Sequence, residues 1–422
     1  MGKLVVLMIT AFVDMVGVLM IVPLLPFYAK AFGAGGFTVG LLFSSFAVAQ
    51  LISAPMWGRF SDRYGRRPAL LVGLGASAVA YVIFAFSGSL WLLFLSRLVQ
   101  GAGGGTVSVI QAYVADALKP EDRAKGLGWL SAATNLGVTL GPVLGSVVLG
   151  AGVHAPGLFA AALCLVNMGF AWRFLPESRD MTEAGSSKKR PVRSRDAVAH
   201  VITHSGEPAP RLIWIYAIGM GAFTGMNAIL ALFLAARFGV TPKTIGFFYM
   251  YVGGLSVLTR AFVLGRAVER FGEARLSRIG STLLALGLAG IPFMHRMIDP
   301  AAFAAMLGGV IPARALVIVP FVPLGLVVAL IPLGTAFTFP CVTALLSRVI
   351  PSNERGLYMG VQQTFGGAAR VIFPAMAGWA FDRSMRLPFL VSAALVAGTI
   401  LLGLGMEEYT KPQRDPQAAP AA

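Results

Sequence analysis

Two ionisable side chains, Asp14 and Arg97, stand inside apolar stretches of the N-terminal part of the chain. A carboxylate in such surroundings is costly to keep charged, so an acid placed there is set up to bind and release a proton. A guanidinium within reach is its counter-charge, and a movement that separates the two changes how tightly the proton is held. A static pair that fixes helix packing is the alternative, although an ionisable residue inside a membrane is read first as functional. Arg260 and Arg370 are further arginines in apolar stretches, and the second half of the chain has no mid-stretch acid to pair with them. They can bind backbone carbonyls, reach toward an interface or meet an anionic substrate.

Around these charges lie candidates for a substrate cavity. Asn135, Asn227 and Gln362, with Gln363 beside it, are uncharged polar residues that suit ligand contact or interhelical hydrogen bonds equally well. Met15, Phe223 and Met226 can give an adaptable apolar wall, or simply pack. The candidate cavity set is therefore Met15, Asn135, Phe223, Met226, Asn227, Arg260, Gln362 and Arg370. Enzyme chemistry finds no support. Histidines at 154, 200, 204 and 295 and the isolated Cys164 and Cys341 supply no nucleophile and base, no disulfide framework and no metal cluster. His200 and His204 have i, i+4 spacing, but a metal site needs a further ligand there, and a solvated polar face is the simpler reading. Gly101, Gly103, Gly104 and Gly105 lie inside an apolar stretch with no adjoining Lys-Ser/Thr, so they favour close helix packing over phosphate binding. No cofactor and no metal are expected.

The elements that must position these residues follow from composition. With 57% hydrophobic and 12% charged residues and a mean hydropathy of +0.77, the chain lacks the polar surface of a soluble globule and belongs in a lipid bilayer. Apolar runs of about 20 residues, each able to cross about 30 Å of hydrocarbon as a helix, recur along it. Twelve are expected, near 5–30, 37–58, 69–88, 90–118, 126–150, 156–175, 212–236, 243–265, 276–295, 317–347, 356–381 and 386–406. Continuous apolar runs exclude barrel strands, which would alternate. Asp14 in its core, with Pro23 and Pro26 near its end, argues that the first run is a retained span, not a cleaved leader.

Net charge of +16 would suggest nucleic acid in a soluble protein, but placement explains it otherwise. Of the 34 lysines and arginines, 24 fall in tails and loops on one side of the spans and seven on the other. The positive-inside rule then puts both termini in the cytoplasm and leaves no role for nucleic acid. The expected organisation is a six-helix bundle over 1–175, a cytoplasmic linker over 176–211, a second six-helix bundle over 212–406 and a disordered tail over 407–422. The linker carries Lys188, Lys189 and Arg190, and a short surface helix is expected near Asp196 to Thr203. A stretch near Asp299 to Arg314 is expected to be an interfacial loop.

Duplication supports two like halves. The run Gly58-Arg59-Phe60-Ser61-Asp62-Arg63-Tyr64-Gly65-Arg66-Arg67-Pro68 is echoed, 207 positions later, by Gly265, Arg266, Glu269, Arg270, Phe271 and Gly272. Asp122-Arg123-Ala124-Lys125-Gly126 and Pro142 are echoed 232 positions later by Asn353-Glu354-Arg355-Gly356 and Pro374. Six-span repeats are a known way to build secondary transporters, which rock one bundle against the other around a midplane site. The charged hairpins, with Asp62, Arg63, Arg66 and Arg67 around the turn glycine Gly65, can make contacts that form in one state and break in the other, or can merely anchor the loops.

These residues resemble the major facilitator superfamily over nearly the whole chain, and within it the twelve-span drug:proton antiporter branch, in a tetracycline-exporter-like form. Gly58 to Pro68 looks like the cytoplasmic signature between its second and third spans. Gly128, Gly137, Gly141, Pro142 and Gly145 resemble the fifth-span antiporter pattern, with Ser146 replacing the usual final glycine. Val13-Asp14-Met15-Val16-Gly17 with Pro23-Leu24-Leu25-Pro26 looks like the branch's first span, and Arg97 with Gln100-Gly101 its fourth. Ala80, Ser256 and Leu284 stand where tetracycline exporters carry acidic or histidine residues, which points away from tetracycline itself. The resemblance implies an all-α membrane protein of two pseudo-symmetric bundles. It implies proton-coupled efflux of small amphipathic or lipophilic compounds by alternating access, with proton coupling at Asp14 and Arg97, in a monomer of the bacterial inner membrane. Alternatives are an importer or facilitator of a sugar or organic anion and, further off, a non-transporting membrane sensor or an enzyme.

Overall fold

A computed structural model describes residues 2–178, 194–294, 321–351 and 354–410; the expected loop near 299–314, the middle of the linker and the tail beyond Thr410 lie outside them. Among the described residues the chain is helical, with no strand. Within a bilayer this is forced, because a lone helix satisfies its own backbone hydrogen bonds where water cannot.

Among the described residues eight helices are long and apolar enough by themselves to cross a membrane. One of them, Ile245–Phe293, turns back at Gly272, where φ is +72°, and so makes the eighth and ninth spans. The fourth span is broken into Leu90–Ala102 and Thr106–Ala117, the eleventh, Arg355–Arg383, carries charges, and the twelfth, Leu387–Leu402, has only 16 residues. With these the described residues trace twelve spans. The others are Lys3–Ile21 continued by Leu25–Ala31, then Gly36–Tyr64, Arg66–Ala85, Pro120–Val148, Ala155–Phe174, Pro208–Phe238 and Val322–Val349.

Two features refine the expected spans. The fourth is interrupted at Gly103–Gly105, where a Cβ on Gly105 would lie 2.3 Å from the Trp57 ring of the second span. The carbonyls released by the break are met from that span: Trp57 Nε1 donates to Ala102 O at 2.6 Å, Ser53 to Gly101 O and Gln50 to Gly104 O, both at 3.3 Å. The eighth span contains a π-helical segment, Thr259–Val263, around Arg260. Single π turns recur at functional sites because they re-aim side chains.

The first span packs on the fifth, the third on the sixth, the seventh on the eleventh, and the ninth limb on the tenth. The halves meet along the second and eleventh spans and along the fifth and eighth. Apolar cores show where this meeting is tight. Near the termini, one core draws only on residues up to Leu175 and another only on residues from Ala197 onward. At the far side the cores are shared: Leu24, Phe27 and Leu149 join second-half residues, and Leu232 and Phe381 join first-half residues. A short helix, Ser194–Thr203, docks on the second half by burying Ala197 and Val201.

Candidate functional site

Asp14 lies deep in the first half, 1% exposed. The break in the fourth span sets its environment, since Thr106, first residue of the second limb, donates its hydroxyl to Asp14 Oδ2 at 2.7 Å. The helix start beside the carboxylate adds favourable dipole. The other oxygen, Oδ1, is buried without a partner among the described residues. Arg97, 3% exposed, is not bound to Asp14: Nη1 donates to Gln100 Oε1, the guanidinium sits 4.6 Å from the Phe46 ring centre, and Nε is buried without a partner. The expected direct pair is therefore absent. Gln100, held to the Tyr81 hydroxyl at 2.9 Å, takes the place of the acid beside Arg97. Tyr81 in turn lies against Gly17, one turn from Asp14. Sequence reading missed Thr106 and Tyr81, ordinary residues whose importance comes only from the helix break and from packing.

Between the halves lies a cavity of about 420 Å³. Its wall is chiefly apolar, with Val18, Leu19, Phe43, Phe46, Phe223, Tyr249 and Phe339, and it also includes Arg97, Asn135, Asn227, Arg260 and Arg370. Among the described residues no carboxylate lines it. A second chamber of about 240 Å³, bounded by Gln111 and Ser131, adjoins it through Asn135 and Arg260 on the side of the termini. Three expected wall residues belong elsewhere. Met15 faces Gly137 of the fifth span, Met226 is buried in the shared far-side core, and Gln362 is fully buried with Thr343 Oγ1 at 3.4 Å. In each case helix packing claims a side chain that sequence alone leaves free to face either way. Ser256 lines the cavity, whereas Ala80 and Leu284 are fully buried.

Among the described residues the first hairpin is tied to its own half and to Glu177 just beyond it. Gly65, with φ +101°, brings the chain so close to Glu177 that a Cβ would lie 2.5 Å from Oε2. Glu177 accepts from the backbone N–H groups of Arg66 and Arg67 at 2.9 and 3.0 Å, capping the third span. Arg66 pairs with Asp62 at 2.9 Å and with Asp116 at 2.8 Å, and Arg67 donates to Trp172 O. Arg63 lies over the Tyr64 ring. In the second half, Glu273 pairs with Arg348 and Arg278 with Glu407. Its own backbone N–H and Arg278 hold the Glu407 carboxyl below the usual range. By the two repeat offsets, Glu273 and Arg348 stand where Arg66 and Asp116 stand, with the charges exchanged. Glu269 and Arg270 are exposed, Arg270 over the Phe271 ring, and Gly58 and Gly265 have open space where a Cβ would be.

Fifth-span glycines divide by position. Gly137, Gly141 and Gly145 press on the first span, where a Cβ would come within 2.6, 2.8 and 2.2 Å of backbone oxygens of Phe12, Val16 and Met20. Gly128 has nothing near it. Ser146 joins the halves: its hydroxyl donates to Pro242 O at 2.8 Å and accepts from Gly246 N at 2.9 Å. Pro142 presses its carbonyl on Gly246, 2.2 Å from where a Cβ would stand. On the other seam Asp382 accepts from Gly36 N at 2.6 Å and Phe37 N at 2.8 Å, capping the second span, and Ser44 donates to Val371 O at 2.6 Å. Near the linker, His200 Nε2 lies 2.9 Å from Glu207 Oε2, and His204 stacks on His200, so the third ligand type missing from the sequence reading is present, on an exposed and solvated face.

Two helical bundles around a shared cavity, with an acid buried beside it, suit a membrane transporter. Residues 7–332 match the sequence model of the Major Facilitator Superfamily, and the chain belongs to that family. It is 26% identical, over 98% of its length and 96% of the relative's, to Multidrug resistance protein 2 of Bacillus subtilis (strain 168). It is 32% identical, over 70% of its length and 74% of the relative's, to the class C tetracycline resistance protein of Escherichia coli. The crystal structure of the human organic anion transporter MFSD10 (TETRAN) shares the fold, with a TM-score of 0.66 and 23% identity over 95% of this chain and 98% of that one.

Proposed function

We propose that the protein is a proton-coupled antiporter that expels small amphipathic or lipophilic compounds across a bacterial inner membrane, as a monomer with both termini in the cytoplasm. The observation that carries this reading is Asp14: buried, bound on one oxygen by Thr106 and unpartnered on the other among the described residues, and absent from the cavity wall. Proton and cargo then occupy separate sites, joined by the Tyr81–Gln100–Arg97 chain, of which Arg97 reaches the cavity. Separate but linked sites suit exchange, since a change in charge at Asp14 alters the setting of Arg97 without displacing cargo by contact. The halves 1–175 and 212–406 rock as units around the cavity, with 176–211 as the cytoplasmic link. The likeness to multidrug and tetracycline resistance proteins supports efflux as the direction.

The test is uptake into everted vesicles under an inside-acid gradient, read with a panel of fluorescent lipophilic compounds. Wild-type vesicles accumulate at least one of them, collapse of the gradient stops it, and Asp14→Asn abolishes it while the variant still binds cargo. Gradient-driven uptake that survives Asp14→Asn overturns the assignment of the proton site, and uptake indifferent to the gradient overturns antiport.

A further inference from the structure

The central cavity collects charge of one sign. Arg97 reaches it from the fourth span, Arg260 from the eighth and Arg370 from the eleventh, with no carboxylate on the wall among the described residues. Like charges in a largely apolar chamber repel; Arg260 is exposed within it, while Arg97 is buried and Arg370 half-buried, and a guanidinium taken from water needs hydrogen-bond acceptors. The protein supplies few. Arg370 Nε donates to Gly366 O at 3.3 Å, and among the described residues neither its terminal nitrogens nor the Arg260 guanidinium makes a hydrogen bond or ion pair. Arg97 spends one nitrogen on Gln100. Asp14, the buried acid of the first half, is bound to Thr106 and does not line the chamber. The π segment Thr259–Val263 is a second, independent sign that Arg260 is aimed and not incidental. The rest of the wall is aromatic and apolar, with Phe46, Phe223 and Tyr249 among its faces.

We propose that the cargo is an amphipathic organic anion: a flat apolar body with one carboxylate or sulfonate, the charge held by Arg260 and Arg370 of the second half and approached by Arg97 of the first. Guanidinium forks match the two oxygens of such a group, and the aromatic wall takes the body. A bare inorganic anion leaves that wall unfilled. Because the three arginines come from both halves, an anion seated among them contacts both bundles, and its binding free energy bears on how they rock. The inference deepens the exporter reading for transport, while the binding it predicts stands without proton coupling.

The experiment uses the full chain, purified in detergent, and three probes with one naphthalene body: 2-naphthoate, 2-naphthamide and 2-naphthylmethylammonium. Calorimetry is expected to show the anion binding at least tenfold more tightly than the amide and the cation not binding. Arg260→Gln and Arg370→Gln are each expected to weaken 2-naphthoate about tenfold with amide binding unchanged, which also reports that the variants are folded; Arg370→Lys keeps part of the affinity. Naphthalene-2-sulfonate should displace the carboxylate, and phosphate should not. Equal binding of amide and anion, preference for the cation, arginine variants that keep the discrimination, or displacement by phosphate at equal concentration each overturns the proposal. Everted vesicles separate this from the exporter reading. Charge-selective binding without gradient-driven uptake leaves the anion site standing and removes antiport. Gradient-driven uptake of a cationic dye, with no binding of 2-naphthoate, does the reverse.

Discussion

The two ends of the bundle pair are held in opposite ways. Away from the termini the halves are fastened to each other: Asp382 caps the second span across one seam, Ser146 binds the start of the eighth across the other, and glycines let backbones touch. On the side of the termini each half is fastened to itself, Arg66 to Asp116 and Glu273 to Arg348, with cores that do not mix. The halves are thus joined on the far side of the cavity and keep separate cores on the side of the termini. The difference teaches that the charged hairpins here stiffen individual bundles, while a few polar caps and close backbone contacts bind the halves together.

Breaking the far-side seam should have the largest effect. Gly378→Leu places a side chain where a Cβ already lies 2.1 Å from Gly36 O. Overpacking of this kind costs about 1–3 kcal/mol. The expected result is loss of transport, with a cysteine placed near Phe37 becoming reactive to a membrane-impermeant maleimide. Asp382→Ala should follow, since loss of a helix cap costs about 1 kcal/mol, a severalfold shift toward the state open at the far side, read with the same cysteine. Ser146→Ala removes a neutral pair of bonds to Pro242 and Gly246 and should shift the same balance less, by about 1 kcal/mol or under. The smallest effect sharpens the other side of the comparison. Arg66→Asp lowers the thermal stability of the protein modestly, as partly exposed pairs are worth about 0–1 kcal/mol. Adding Asp116→Arg should restore part of the loss, because the second half already carries that arrangement. A double variant no better than the single one would show that Arg66 acts through Asp62 instead.

Much of this was legible from local pattern. Lengths of apolar runs locate the spans, the echo of Gly58 to Pro68 announces the halves, and Asp14 and the three arginines within spans are conspicuous because charge is so rare there. Partners were not legible. Glu177 and Asp382 look like ordinary loop and span-end acids, yet they cap helices 110 and 346 positions away. Asp14 was expected to meet Arg97, and the broken fourth span instead gives it Thr106 and gives Arg97 a glutamine. Met15, Met226 and Gln362 had the chemistry of a cavity wall, and only the rotation of each helix turned them into packing.

By itself, then, the sequence determined that this chain crosses a membrane many times in two like halves, because hydrophobic length and repetition are properties of neighbouring residues. Tertiary structure decided on which side the halves are joined, which acid serves which helix, and that three arginines from separate spans share one chamber. Those outcomes depend on the packing angles and rotations of helices far apart in the chain, and no local pattern of residue types encodes them.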